Sequence, residues 1–153
     1  MENKEIIIRF YEAFQKADAK TMVSFYDDNI QFSDPAFGEL KGERAKNMWL
    51  MLVRPGIQLS FKDVWTNGNK GGANWQAEYV FSPTGKKVIN KIKAEFEFKD
   101  GKILIHNDNF DLWKWSRQAL GIKGLLLGWS NFFKKALQAK VGKQLDKFEI
   151  KKA

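Results

Sequence analysis

The stretch "KKVINKIKAEFEFK", residues 86 to 99, alternates with a period of two: Val88, Asn90, Ile92, Ala94, Phe96 and Phe98 lie between Lys87, Lys91, Lys93, Glu95, Glu97 and Lys99. Successive side chains of a strand point to opposite faces, so this pattern predicts a strand with one packed and one wet face. Its neighbours repeat the theme. "IQLSFKDVWTN", the turn "GNKGG", "ANWQAEYVFS", the turn "PTGK", the alternating stretch itself, "DG" and "KILIHNDNFDLW" follow one another without a linker. Four strands joined by tight turns make an antiparallel meander.

The chain before residue 57 reads differently. "NKEIIIRFYEAFQKAD" carries Ile6, Ile7, Phe10, Ala13, Phe14 and Ala17 at helical spacing, and "AKTMVSFYDD" continues as a short second helix. "NIQFS" alternates briefly before an Asp-Pro corner. "GERAKNMWLMLV" is a third helix, stopped by "RPG" because proline disfavours a helical residue before it. Helices followed by an antiparallel sheet predict an α+β domain with the helices packed in the concavity of the sheet. A length of 153 residues suits one core, and 44% hydrophobic residues with 22 aromatic side chains supply it with some to spare for a cavity wall. There are no cysteines, which excludes disulfides and thiolate metal sites. The N-terminus mixes acids among its apolar residues, so neither a signal peptide nor a membrane span is expected there, and a cytoplasmic protein is the default.

Three segments, "FYEAF", "FYDDNIQFSDPAFGELKG" and "HNDNFDLWKW", taken with the order of elements, resemble the nuclear transport factor 2-like superfamily, in particular its SnoaL-like and ketosteroid-isomerase-like members. The resemblance covers residues 1 to about 116. It implies a cone with an apolar mouth, one domain over 1–116, and a helical extension over 117–153 packed on that domain or on a partner. It also implies a homodimer. The implied ligand is a small apolar molecule, and no cofactor is expected.

Asp34 sits where the steroid isomerases of this superfamily place their general base. Burial in a dry pocket would raise its pKa toward neutrality; the alternative is a carboxylate that only makes the turn or caps the next helix. The resemblance places the isomerases' two oxyanion donors at Phe10 and near Ala94, neither of which can donate. Classical steroid isomerisation is therefore not expected, and whether the chain is an enzyme at all stays open. On the last strand, His106 and Asp108 are two apart and share a face, roughly 7 Å from each other, with Asn107 and Asn109 on the other side. SnoaL-like cyclases use a late-strand aspartate as acid or base, which makes Asp108 the second candidate catalytic residue and His106 the third. Equally, His106 and Asp108 can be polar strand contacts. Phe10, Phe14, Trp49, Phe61, Trp75, Phe96 and Phe110 are the candidate ligand-binding residues, with plain core packing as the alternative. One histidine among scattered carboxylates lacks metal-site spacing, so no metal is expected. The Arg-x-Asp strand motif of limonene-epoxide hydrolases is absent.

Charge separates the tail from the body. Residues 1–112 hold 16 Lys+Arg and 16 Asp+Glu; residues 113–153 hold 10 and 2, so the whole net charge of +8 is in the tail. "GLLLGWSNFFKKALQAKVGKQLDKF" spaces Leu125, Trp129, Phe132, Phe133, Ala136, Leu137, Val141, Leu145 and Phe148 along one helical stripe with lysines around it. The stripe can close the cone, pack in a dimer, or lie on an anionic membrane as a peripheral contact. No nucleic-acid motif accompanies the charge, and no nucleic-acid partner is expected. The function expected is binding of a small ligand in the cone, with cofactor-independent proton transfer by Asp34 or, alternatively, a non-catalytic binding or interaction module.

Overall fold

The computed structural model describes residues 1–152. Three helices and a hairpin come first: α1 (Asn3–Gln15), α2 (Ala19–Ser24), β1 (Tyr26–Asp34), β2 (Gly38–Lys41) and α3 (Glu43–Leu52). The meander follows as β3 (Gln58–Asn67), β4 (Lys70–Phe81), β5 (Lys86–Lys99) and β6 (Lys102–Asn109). Then come α4 (Leu112–Leu120), α5 (Ile122–Leu127) and α6 (Asn131–Lys152). One six-stranded sheet runs in the order β2-β1-β6-β5-β4-β3. This is the α+β architecture expected from the sequence, with the helices of the N-terminal half packed on one face of the sheet.

The period-two reading of β5 holds: Val88, Ile92, Ala94, Phe96 and Phe98 are buried while Lys91, Lys93 and Glu95 are exposed. Against that face α1 turns Ile6, Ile7, Phe10, Tyr11, Ala13 and Phe14, all buried. Two elements differ from expectation. The strand predicted at "NIQFS" begins at Tyr26, and the loop after Pro35 forms β2, antiparallel to β1 with Asp34 opposite Gly38. Tyr26, Ile30 and Phe32 are buried, but a register shift between Tyr26 and Gln31 interrupts the pairing. The polar run Asp27-Asp28-Asn29 sits in that irregularity, which hides the strand from a periodicity argument.

β1 pairs with β6 in parallel, joining the first and last strands of the domain. β5 has 14 residues and β6 only 8, so the start of β5 has no strand on one side. Gln118 of α4 covers that edge: its Oε1 accepts from Ile89 N at 2.8 Å and its Nε2 donates to Ile89 O at 3.0 Å. An open edge would otherwise offer these groups to another chain.

The tail departs from a single amphipathic helix. A turn at Gly128–Ser130 separates α5 from α6, and the stripe is split. Leu145 is fully buried in the core and Phe148 packs against it, whereas Leu125, Trp129 and Phe132 are exposed. The far half of α6 is fixed to α3. Arg44 pairs with Glu149 and, at 2.8 Å, with Asp146; Asn47 donates to Glu149 at 2.8 Å and accepts from Lys152 at 2.6 Å. The expected division after residue 116 falls within α4.

Candidate active site

Two carboxylates meet because of the parallel register. Ser33 is paired with Asn107 across β1 and β6, and the Ser33 hydroxyl donates to Asn107 Oδ1 at 2.7 Å. In a parallel pair, side chains at matched positions lie on the same face, and the next position along each strand lies on the other. Asp34 and Asp108, one step on from that pair, therefore stand side by side on the inner face. Both line one cleft of about 370 Å³ at the ends of β1 and β6. Its other walls are Pro35 and, from α6, Lys134, with Ser33, Asn107, Asn109, Lys93 and Glu95, which stand on the outer face of the sheet, so the cleft wraps the strand ends from the two carboxylates to that outer face.

The Asp34 carboxylate has two different oxygens. Oδ1 accepts from the backbone N–H groups of Ala36 at 2.9 Å and Phe37 at 2.6 Å, the turn-forming role open to an aspartate before proline. Among the described residues no donor reaches Oδ2, and Asp34 faces the cleft. Burial pushes the Asp34 pKa up to about 7; the Phe37 N–H opposes the shift and the nearby Asp108 charge adds to it. At neutral pH such a carboxyl exists in both protonation states, the condition a proton carrier needs.

Asp108 is held from behind by a buried chain of hydrogen bonds. Trp49 Nε1 donates to the Tyr26 hydroxyl at 2.7 Å, Tyr26 Oη lies 2.6 Å from His106 Nδ1, and His106 Nε2 lies 2.9 Å from Asp108 Oδ1. Trp75 Nε1 donates to the same Asp108 oxygen at 3.2 Å. Indole N–H groups only donate, which fixes the direction of the chain. The Tyr26 oxygen accepts from Trp49, so the Tyr26 proton points to Nδ1, and the imidazole proton is on Nε2, pointing at Asp108. Every polar atom in this run then has a partner, as a buried network requires. His106 is fully buried in a cage of Phe10, Phe32, Trp49 and Phe96, with the Phe96 ring centroid 4.4 Å away. It orients Asp108 and does not line the cleft. Burial, reinforced by the Asp108 charge, raises the Tyr26 pKa well above its ordinary value, so Tyr26 stays protonated.

One atom is left over. The Tyr11 hydroxyl is the single buried side-chain polar atom without a partner among the described residues. Its ring stacks on Phe61 and lies near Trp75, and burial, with Asp108 next in order, holds its pKa well above the usual value.

Of the residues singled out in the sequence, the structure brings Asp34 and Asp108 to one cleft and places His106 behind Asp108. None of Phe10, Phe14, Trp49, Phe61, Trp75, Phe96 and Phe110 lines that cleft. Phe10, Phe14, Trp49, Trp75 and Phe96 are buried and in ring contact with one another, while Phe61 and Phe110 pack partly buried around them. Trp49 and Trp75 do more than pack, because their N–H groups serve Tyr26 and Asp108. Tyr26 was missed as a site residue. A signal existed in the need of every buried Tyr and Trp for a polar partner. Phe10 and Ala94, at the positions of the isomerase donors, are both buried and apolar. Among the described residues no group of three or more His, Asp or Glu side chains could hold a metal ion.

Comparison with known proteins agrees with this geometry at the level of the fold. A candidate polyketide cyclase from Xanthomonas campestris pv. campestris is 21% identical, with a TM-score of 0.63 over 74% of this chain and 93% of that one. An NTF2-like protein of unknown function from Burkholderia pseudomallei K96243 is 16% identical, with a TM-score of 0.68 over 78% and 99%. An LEH-like epoxide hydrolase of M. tuberculosis is 20% identical, with a TM-score of 0.61 over 81% and 89%. No sequence among curated proteins matches the chain. The SnoaL-like domain profile matches residues 7–106, about two thirds of the length, a span that includes Asp34 and His106 and ends two residues before Asp108. The chain belongs to the SnoaL-like domain family and has the NTF2-like fold.

Proposed function

We propose that this protein binds a small carbonyl-bearing molecule in the cleft and moves a proton on it without a cofactor, with Asp34 as the base. The observation that carries the reading is the pairing of Asp34 and Asp108 on one wall with unequal surroundings. Asp34 is desolvated and offers a free oxygen, while Asp108 is tied through His106 and Trp75. Environments that differ in this way assign different roles to two carboxylates. Asp34 Oδ2 takes a proton from the carbon next to a carbonyl. The electron pair moves onto the carbonyl oxygen, and Lys134 of α6, which borders the cleft, is the cation placed to meet that charge. The proton then returns to another carbon, or the carbanion attacks a second carbonyl within the same molecule and the proton passes from Asp34 to the alkoxide so formed. The second outcome is ring closure, the class of reaction that the name of the Xanthomonas neighbour describes. The polar cleft wall favours a ligand with an oxygen-rich edge over a wholly apolar one. Phe10 and Ala94 offer no donor, which argues against the steroid isomerase scheme.

Asp34→Asn tests this reading, because Asn keeps the oxygen that serves Ala36 and Phe37 but cannot take the proton. Cyclic enones and 1,3-dicarbonyl compounds incubated with the protein in D2O should gain deuterium beside the carbonyl, read by NMR. The variant should lose the enzyme-dependent rate by about 10²–10⁴-fold. The wild-type rate should rise with pH through about 7, since the base must be ionised. Exchange no faster than buffer for every compound, or unchanged in Asp34→Asn, would overturn the reading in favour of a non-catalytic binding module. The aromatic rings that occupy the interior are the observation on the side of that second reading.

A further inference from the structure

We infer that α5 and the turns flanking it form a docking face for an anionic lipid bilayer. Six large apolar side chains lie open within eleven residues: Ile122, Leu125, Leu126, Leu127, Trp129 and Phe132, with relative exposures between 48% and 80%. Isolated exposed apolar residues are ordinary; a contiguous set is not.

The packing of α5 explains why all of them face outward. Gly124 and Gly128, one helical turn apart, are the buried positions against α4, and a Cβ at either would collide with Ser116. With glycine as its contact stripe, α5 lies flat on α4 and gives none of its leucines to the interior. Ile122 and Leu126, two residues either side of Gly124, project from the opposite side of the helix.

Two further observations select the occupant. The first is charge: residues 112–135 contain Lys114, Arg117, Lys123, Lys134 and Lys135 and no acid. A second copy docking on this segment would bring like charges together, whereas an anionic lipid surface complements them. The second is the condition of the backbone where α5 ends. The last four carbonyls of a helix have no intrahelical partner and, where neither side chains nor a tightened turn serves them, rely on water. Here Gly124 O accepts from Gly128 N at 2.9 Å and Leu125 O from Trp113 Nε1 at 3.2 Å. Leu126 O accepts from Trp129 Nε1 at 2.9 Å, and Leu127 O from Ser130 N at 3.0 Å and Ser130 Oγ at 2.7 Å. A helix end with no open carbonyl can be dehydrated at little cost, which is what entry into a headgroup layer demands. No helix among the described residues is long and apolar enough to cross a membrane, so the contact proposed is one made along the surface. Trp129 and Phe132 are suited to the headgroup level, with Leu126 and Ile122 beneath and the lysines toward lipid phosphates.

Sedimentation of the full chain with vesicles tests this, using phosphatidylcholine alone and phosphatidylcholine mixed with phosphatidylglycerol. The protein should pellet with the mixed vesicles at about 0.05 M salt and be released toward 0.5 M. It should pellet far less with phosphatidylcholine alone. Leu126→Glu combined with Trp129→Glu, at two exposed positions, should abolish pelleting while the circular dichroism stays that of the wild type. Lys123→Glu, within α5 itself, should weaken binding about fivefold or more. No pelleting at low salt, equal pelleting with neutral vesicles, or full binding by the Leu126, Trp129 double variant would each overturn the proposal. A concentration-dependent dimer that this double variant dissolves, without vesicle binding by the wild type, would identify a second copy as the occupant and overturn it too.

Discussion

Trp49 and Trp75 differ from Trp129 in what their indole nitrogens can reach. The first two are buried, and each donates to a side chain that belongs to the site: Tyr26 for Trp49, Asp108 for Trp75. Trp129 is 70% exposed, and its N–H returns to the Leu126 carbonyl three residues back. An interior indole needs a dedicated partner, because an unmet N–H away from water costs about 1–3 kcal/mol. That need ties its position to one arrangement of the core. An exterior indole is satisfied by its own backbone, and its ring remains available to something outside the fold.

This contrast can be broken at several points. His106→Ala should have the largest effect, since it leaves the Tyr26 hydroxyl and an Asp108 oxygen short of a partner and opens a hole amid four aromatic rings. A loss of about 3–5 kcal/mol in urea unfolding is expected. A loss below about 1 kcal/mol would mean that the buried chain is not a cooperative unit. Asp34→Asn comes next and acts in the opposite direction. The folded protein holds the Asp34 proton up to about pH 7, whereas the unfolded chain releases it near 3.9, so between those values the native state binds more protons and stability falls as pH rises. Removing the titration should leave the variant more stable than the wild type above pH 7, by on the order of 1–3 kcal/mol, and should flatten the pH dependence of the melting temperature between about 4 and 7. Trp49→Phe, which keeps a ring but drops the donor, should cost about 1–3 kcal/mol. Trp129→Phe should fall within about 0.5 kcal/mol of the wild type. Equal costs for the two tryptophan variants would erase the distinction between them.

Much of this was legible because the signals are local. The alternation of β5 fixed which residues face the core, and the i, i+2 spacing on β6 placed His106 and Asp108 on one side of the strand. The Asp-Pro corner leaves a turn role and a pocket role both open in the sequence, and Asp34 makes the turn with one oxygen while the other faces the cleft. The parallel pairing of β1 with β6 was not legible, because no residue pattern in either strand encodes a partner so distant in sequence, and the bulge at Asp27–Ile30 blurred β1 itself. The path of the tail is hidden for a different reason. Apolar residues at helical spacing across 125–148 describe one stripe only if the helix is continuous, and the turn at Gly128–Ser130 rotates the two halves apart. Leu145 then enters the core while Leu126 does not.

Ser33 and Asn107 are separated by 74 positions along the chain, yet their hydrogen bond marks where β1 and β6 come together. A loop of that span must close before either strand gains from the pairing. A fragment that lacks either strand cannot hold both carboxylates in position. The meeting of the two carboxylates is therefore a property of the closed fold, and neither strand carries it alone.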